Sequence, residues 1–153
     1  KAVDLKTLWL LIGLFIVVQG ITEAGVIAAI ADFFVKVGGR SALLMYVLIL
    51  TVSVAISAFV DNIPYVATML PVLTGLAARL GISPYILYFG LLTGATLGGN
   101  LTPIGASANI TAVGLLKKEG YETGFADFMK VGVPYTLAAV LAGYLYTWFV
   151  WAG

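Results

Sequence analysis

Two short polar stretches interrupt long apolar runs of this sequence, and their side chains are of the types that bind small ions. The longer stretch, residues 98–109, lies inside a run from Leu80 to Leu116 that has no charged side chain. Amide, hydroxyl and carbonyl oxygens are the ligands that hard cations take in proteins. We therefore interpret this stretch as part of an ion or substrate site. Its candidate ligands are Asn100, Thr102, Ser107 and Asn109, and Gly98, Gly99 and Gly105 would let the backbone reach the site.

A helix that crosses a membrane is expected to break within this stretch. A run this long and apolar belongs in a bilayer, where ~20 helical residues suffice to cross. Gly98 and Gly99 each weaken a helix by ~1 kcal/mol relative to alanine, and Pro103 removes a backbone donor. Non-helical backbone survives in hydrocarbon only inside protein or beside a polar cavity. An ordinary proline kink is the alternative, but the polar neighbours favour a broken helix over residues 83–116.

The second polar stretch is Asp61-Asn62-Ile63-Pro64, which separates two apolar arms. It indicates a helix stop followed at once by a helix start, with Asn62 or Ile63 as the cap and Pro64 in the first turn. Residues 41–80 would then form a re-entrant hairpin, with two complete spans as the alternative. The sequence predicts that this tip and the helix break face each other near the middle of the membrane.

Asp61 is the only carboxylate between Ser41 and Leu116. A charged side chain at the bilayer centre costs ~2.5–3.5 kcal/mol on insertion scales, so such a residue is functional by default. We therefore predict that Asp61 carries a proton or a cation, with a Na⁺ site at Asp61, Asn62 and Asn100 and with Thr68 as a further ligand.

Composition places these stretches in a polytopic membrane protein of all-α class. Of the 153 residues, 61% are hydrophobic and 10% are charged, and the mean hydropathy is +1.08; soluble domains do not have such values. The net charge of +1 excludes a nucleic-acid footprint. The absence of cysteine and histidine removes thiolate and imidazole chemistry. We expect the lipid bilayer as a partner and no cofactor beyond a coupling Na⁺ or H⁺.

The remaining elements follow from the apolar pattern. We expect a span plus an interfacial helix over 7–35, a short interfacial helix over 123–130 and a last span over 131–151. Basic residues bias the chain weakly towards a cytoplasmic start and an outside C-terminus. Five of them fall on one side and three on the other: Lys1, Lys6, Lys117, Lys118 and Lys130 against Lys36, Arg40 and Arg79. The chain begins at Lys1 and shows no signal peptide, so we interpret it as a piece of a longer protein.

Three segments of the sequence, 57–71, 97–109 and 117–134, resemble the ion transporter superfamily. The arsenite permease and sodium–proton antiporter branch, which includes the melanosomal P protein, is the most similar. The resemblance implies two inverted repeats, each with a re-entrant hairpin and a broken helix. This chain would supply one such repeat, 1–153, as a C-terminal half that needs its N-terminal half, often within a homodimer.

The resemblance also implies a secondary active transporter, not an enzyme, in the plasma membrane. The expected activity is Na⁺/H⁺ exchange or arsenite or antimonite efflux, by elevator-like alternating access. The dicarboxylate branch has a Ser-Asn-Thr motif where this chain has Asp61-Asn62-Ile63. An anionic Asp61 without a nearby intramembrane cation is a poor host for a dianion, so a cation, a proton or neutral arsenous acid ranks higher. A dicarboxylate or anion symporter and a channel-like subunit are the alternatives.

Overall fold

The structure, a computed structural model, describes residues 23–151 together with residues 9, 12, 13, 16, 17, 19 and 20. The part of the predicted 7–35 segment that precedes residue 23 lies mostly outside the described residues. Every regular element in the described part of the chain is a helix, which confirms the predicted all-α class. In chain order the helices are α1 (Val26–Gly38), α2 (Ala42–Ser57), α3 (Asn62–Leu80), α4 (Pro84–Gly98), α5 (Ser107–Lys118) and α6 (Phe125–Trp151).

The helix starts follow local capping chemistry. Ser41 caps α2 by accepting the Leu44 N–H at 3.3 Å. Asp61 caps α3, because its carboxylate accepts the Ile63 N–H at 3.2 Å. The prediction of Asn62 or Ile63 as the cap was therefore wrong by one or two positions. A carboxylate at this position also interacts favourably with the positive N-terminal end of the helix dipole.

Helix α4 is central and packs against α2, α3 and α6. It approaches α2 through glycines spaced four residues apart. A Cβ at Gly94 would lie 2.5 Å from the Leu50 carbonyl oxygen, and one at Gly98 would lie 2.6 Å from that of Val54. Neither distance leaves room for any side chain. Small residues at this spacing allow helix backbones to pack closely where lipid supplies no hydrophobic drive.

An apolar core fills the space between α1, α2, α3 and α4. The side chains of Tyr46 and Leu73 are fully buried there. Tyr46 also holds α6 in place, since its hydroxyl donates to the Tyr144 carbonyl at 3.0 Å and its ring stacks on Tyr144 and Trp148. Helix α5, in contrast, has no buried residue. Helix α5 therefore stays outside the packed core, whereas Ala58 and Thr102 of the two interruptions are buried.

Helix α6 differs from the predicted division at residue 131. The structure has one continuous helix, Phe125–Trp151, in place of an interfacial helix over 123–130 and a separate span over 131–151. Pro134 lies inside this helix and removes only one backbone donor, a loss that membrane helices tolerate. No sequence feature at residue 131 supplies a helix stop, so the two predicted elements merge.

Two described helices are long and apolar enough to cross a membrane: α3 with 19 residues and α6 with 27. Helix α2, with 16 residues, would extend ~24 Å at 1.5 Å per residue, which is short of a ~30 Å hydrocarbon core. Whether 41–80 forms a re-entrant hairpin or two spans stays a prediction.

Candidate functional site

The structure brings the two helix interruptions into direct contact. Residues 58–61 separate α2 from α3, and residues 99–106 separate α4 from α5. The Thr102 hydroxyl donates to the backbone carbonyl of Ala58 across this contact. A Cβ on Gly105 would lie 2.8 Å from the Ala58 oxygen and 2.9 Å from the Ser57 oxygen, so only glycine fits. We call this contact between residues 57–62 and 98–109 the junction.

Further buried hydrogen bonds hold the helices on either side of the junction. The Ser57 hydroxyl, at the end of α2, donates to the Ala95 carbonyl on α4. The hydroxyls of Ser53 and Tyr65 share a hydrogen bond of 3.0 Å between α2 and α3. In a low-dielectric interior each polar group needs such a partner. These bonds fix how α2, α3 and α4 meet beside the junction.

Asn109 closes the 99–106 segment on itself. Its side-chain amide donates to the Gly99 carbonyl at 2.9 Å and to the Thr102 carbonyl at 3.1 Å. Both carbonyls belong to non-helical backbone, where polar groups need partners, and the Thr102 carbonyl also accepts the Gly105 N–H at 3.4 Å. Two of the predicted ligands, Thr102 and Asn109, thus use their hydrogen-bond donors to hold the backbone of the junction.

Asp61 stands at the junction with one carboxylate oxygen in use. That oxygen accepts the Ile63 N–H, and the side chain is half-buried. No ion pair within the described residues involves it. Arg79, at the other end of α3, is paired with Asp32. The junction therefore carries a carboxylate without a described counter-charge.

The other predicted ligands lie in different surroundings: two line separate cavities, one bonds within its own helix and one is exposed. Asn62 lines a groove of about 880 Å³ along α3, whereas Asn100 lines a separate cavity of about 310 Å³ beside α6. Asp61, the third predicted Na⁺ ligand, lines neither of these two cavities. Thr68 donates to the Pro64 carbonyl of its own helix at 2.9 Å. Ser107 is exposed at the start of α5.

The junction glycines also allow close packing, a role that the sequence interpretation did not include. The positive φ values in the described chain belong to other glycines. Gly98, Gly99 and Gly105 therefore do not adopt the left-handed conformation. They allow close approach: a Cβ on Gly105 would lie 2.5 Å from the Gly99 oxygen. Sequence reasoning treated Gly98 as a helix breaker and missed its packing role. The four-residue spacing of Gly90, Gly94 and Gly98 was the signal that could have revealed it.

Apolar helices that carry polar, interlocked interruptions are typical of membrane proteins built from discontinuous helices. The chain matches the citrate transporter family, CitMHS, over residues 1–153 and belongs to that family. The chain is 37% identical over 150 residues to an uncharacterized transporter of Mycobacterium bovis, a match that covers 97% of this chain and 35% of the relative. The 46 kDa membrane protein of Mycobacterium leprae is 36% identical over the same span.

The P protein of Mus musculus is 34% identical over 158 residues, which cover 94% of this chain and 18% of that protein. This match supports the P-protein part of the resemblance. The family match names a citrate transporter family and does not confirm the arsenite and antiporter branch. The chain spans about a third of the length of the mycobacterial relatives. No solved structure matches the chain.

Proposed function

We propose that the complete protein is a secondary transporter whose cargo and coupling ion bind at the junction. The observation that carries this proposal is the contact of two helix interruptions through Thr102 and Ala58. Helices α2 and α4 end there and present carbonyl oxygens, and α3 and α5 begin there and present N–H groups. Discontinuous helices use these termini to bind ions and substrates near the middle of the membrane.

Asp61 is the proposed coupling group. Its carboxylate lies at the start of α3 and has an oxygen that its cap bond does not use. A proton or a Na⁺ on this carboxylate would neutralise it, which lowers the cost of moving it through hydrocarbon. Loading Asp61 would therefore permit the movement that exposes the junction to the other side.

The charge of the junction decides which cargo it can take. With Asp61 ionised, the described residues of the junction carry a net negative charge, which favours a cation or a neutral oxyacid such as arsenous acid. Family membership favours a second candidate, a citrate-like carboxylate. Such an anion is compatible with the junction when a proton or cation has first neutralised Asp61 and the N-termini of α3 and α5 face it.

The binding site extends beyond this chain in the proposal. Asn62 and Asn100 open onto different cavities, so further ligands from another part of the protein would complete the site. We propose that an N-terminal half of the same polypeptide supplies them in a plasma-membrane homodimer with an outside C-terminus. Elevator-like movement of the junction is the proposed form of alternating access.

Flux measurements on the full-length protein in proteoliposomes test the proposal. Sodium, arsenite and citrate are offered separately, each with and without an imposed proton or sodium gradient. Saturable uptake of one cargo that depends on a gradient and is lost in Asp61→Asn supports a coupled carrier. Non-saturating flux that ignores both gradients would instead indicate a channel. The cargo that is concentrated against its gradient decides between the inorganic and carboxylate candidates.

A further inference from the structure

The groove along α3 is open in the part of the chain that the structure describes. It runs from Asn62 at the junction to Gly75 and has Leu92 and Thr96 of α4 as its second wall. Leu70 is 37% exposed there, and a Cβ on Gly75 would meet no atom within 4 Å. The lining is mostly apolar, so the groove suits an apolar occupant better than a bare ion.

The dimensions of the groove match a membrane helix. From residue 62 to residue 75 the groove follows ~20 Å of helix at 1.5 Å per residue. Along it, Ala67, Pro71 and Gly75 are small residues spaced four apart. The same spacing on α4 already brings Gly94 into backbone contact with Leu50 of α2. On α3 the Gly75 position is open, since the described chain places no atom within 4 Å of a Cβ there.

Pro71 adds a chemical requirement to this shape. A proline has no N–H, so Pro71 cannot donate to the Ala67 carbonyl, its helical partner four residues earlier. Both residues line the groove. In membrane helices a carbonyl freed in this way is paired again by a neighbouring helix, a hydroxyl or a water. A hydroxyl or amide donor on the occupant would supply that partner.

We propose that the groove receives a transmembrane helix from another part of the same polypeptide. The matched region is only about a third of the length of the mycobacterial relatives, so most of their chain lies outside it. The groove also ends at Asn62, whose polar surroundings are costly to expose to lipid. The proposed helix is apolar, has a small residue opposite Pro71, and carries a donor near Ala67 and a polar side chain level with Asn62.

Photo-cross-linking in the full-length protein tests this contact without relying on transport, so it can fail while the proposed function stands. Leu70 is replaced with the photoreactive amino acid p-benzoylphenylalanine, and the products are mapped by mass spectrometry. The matched control position is Leu137 on α6, which is 61% exposed and lines neither cavity. We expect Leu70, and not Leu137, to cross-link to a segment of the same polypeptide outside residues 1–153. Cross-links to lipid only, to residues 1–22 or to a second copy would overturn the proposal.

A groove-filling variant gives an independent readout. Gly75→Leu places a side chain where the described chain has no atom within 4 Å, so it fills the groove without disturbing α3. Gly114→Leu on α5 is the matched control, because its Cβ also meets nothing within 4 Å. We expect Gly75→Leu to lose most of the Leu70 cross-link and Gly114→Leu to retain it. An unchanged cross-link in Gly75→Leu would contradict a helix seated in the groove.

Discussion

The hydroxyl of Thr102 donates to the backbone carbonyl of Ala58, a residue 44 positions earlier in the chain. Both residues are buried, at 2% and 3% exposure. The bond joins the segment that follows α2 to the segment that follows α4, so a change in the shape of one interruption alone would break it. A transporter that moves the junction would move the two interruptions together.

Two buried threonines should respond oppositely to the same substitution. Thr102→Val removes the donor to Ala58 and leaves a buried carbonyl without it, at a cost of about 1–3 kcal/mol. Thr136 is fully buried, and its hydroxyl has no hydrogen-bond partner in the described chain. Thr136→Val should therefore stabilise the protein by about 1 kcal/mol. Thermal unfolding of the full-length protein in detergent measures both, and a lower melting temperature for Thr136→Val would show that its hydroxyl has a partner elsewhere.

Asp61 has a capping role and a proposed coupling role, which two substitutions separate. Asp61→Asn keeps an oxygen that can accept the Ile63 N–H but removes the charge, so we expect normal melting and loss of gradient-driven flux. Asp61→Ala removes both the charge and the oxygen that accepts the Ile63 N–H. The lost cap should cost a further ~1 kcal/mol of stability. Melting curves and proteoliposome flux are measured on the same preparations. Near-normal coupled flux in Asp61→Asn would refute the coupling role.

Asn109 is expected to act on cargo affinity through the backbone that it holds. Asn109→Ala removes the amide bonds to Gly99 and Thr102, each worth about 0.5–1.5 kcal/mol. Asn109→Asp also places a carboxylate against two carbonyl oxygens, so its loss of affinity should be the larger. Cargo titration of the purified protein measures both. Thr111→Ala on α5 is the control, because its hydroxyl bonds only within its own helix; an equal loss there would contradict a local effect of Asn109.

The glycine row of α4 should tolerate no side chain, whereas an exposed glycine should. Gly94→Ala puts a Cβ 2.5 Å from the Leu50 oxygen, and such overpacking typically costs about 1–3 kcal/mol. Gly114→Ala on α5 meets nothing within 4 Å and gains up to ~1 kcal/mol of helix propensity. Melting temperatures should fall for the first and hold or rise for the second. Equal melting temperatures for the two variants would mean that α2 and α4 can separate without cost.

The sequence was sufficient to predict the all-α class and the positions of both helix interruptions, because charge, proline and the length of an apolar run are local signals. The gap between Gly98 and Ser107 falls where Pro103 and its polar neighbours predicted it. The partners of the polar residues were not predictable in the same way. Asn109 can bind an ion through its amide oxygen and hold a carbonyl through its amide N–H groups, and only the fold shows that these N–H groups reach Gly99 and Thr102. The continuity of α6 was missed because the change from polar to apolar residues after Lys130 was interpreted as a boundary between two elements, although the helix continues through it.

The packing of α2 against α4 also constrains how the protein is made. Gly98 follows Ser57 by 41 positions, so α2 leaves the ribosome well before the helix that covers its backbone. At about 5–20 residues per second that interval is about 2–8 s. During this interval α3 must not occupy the surface of α2 against which the α4 glycines later pack. A side chain at Gly94 or Gly98 would therefore disturb a contact that can form only after α4 has been synthesised.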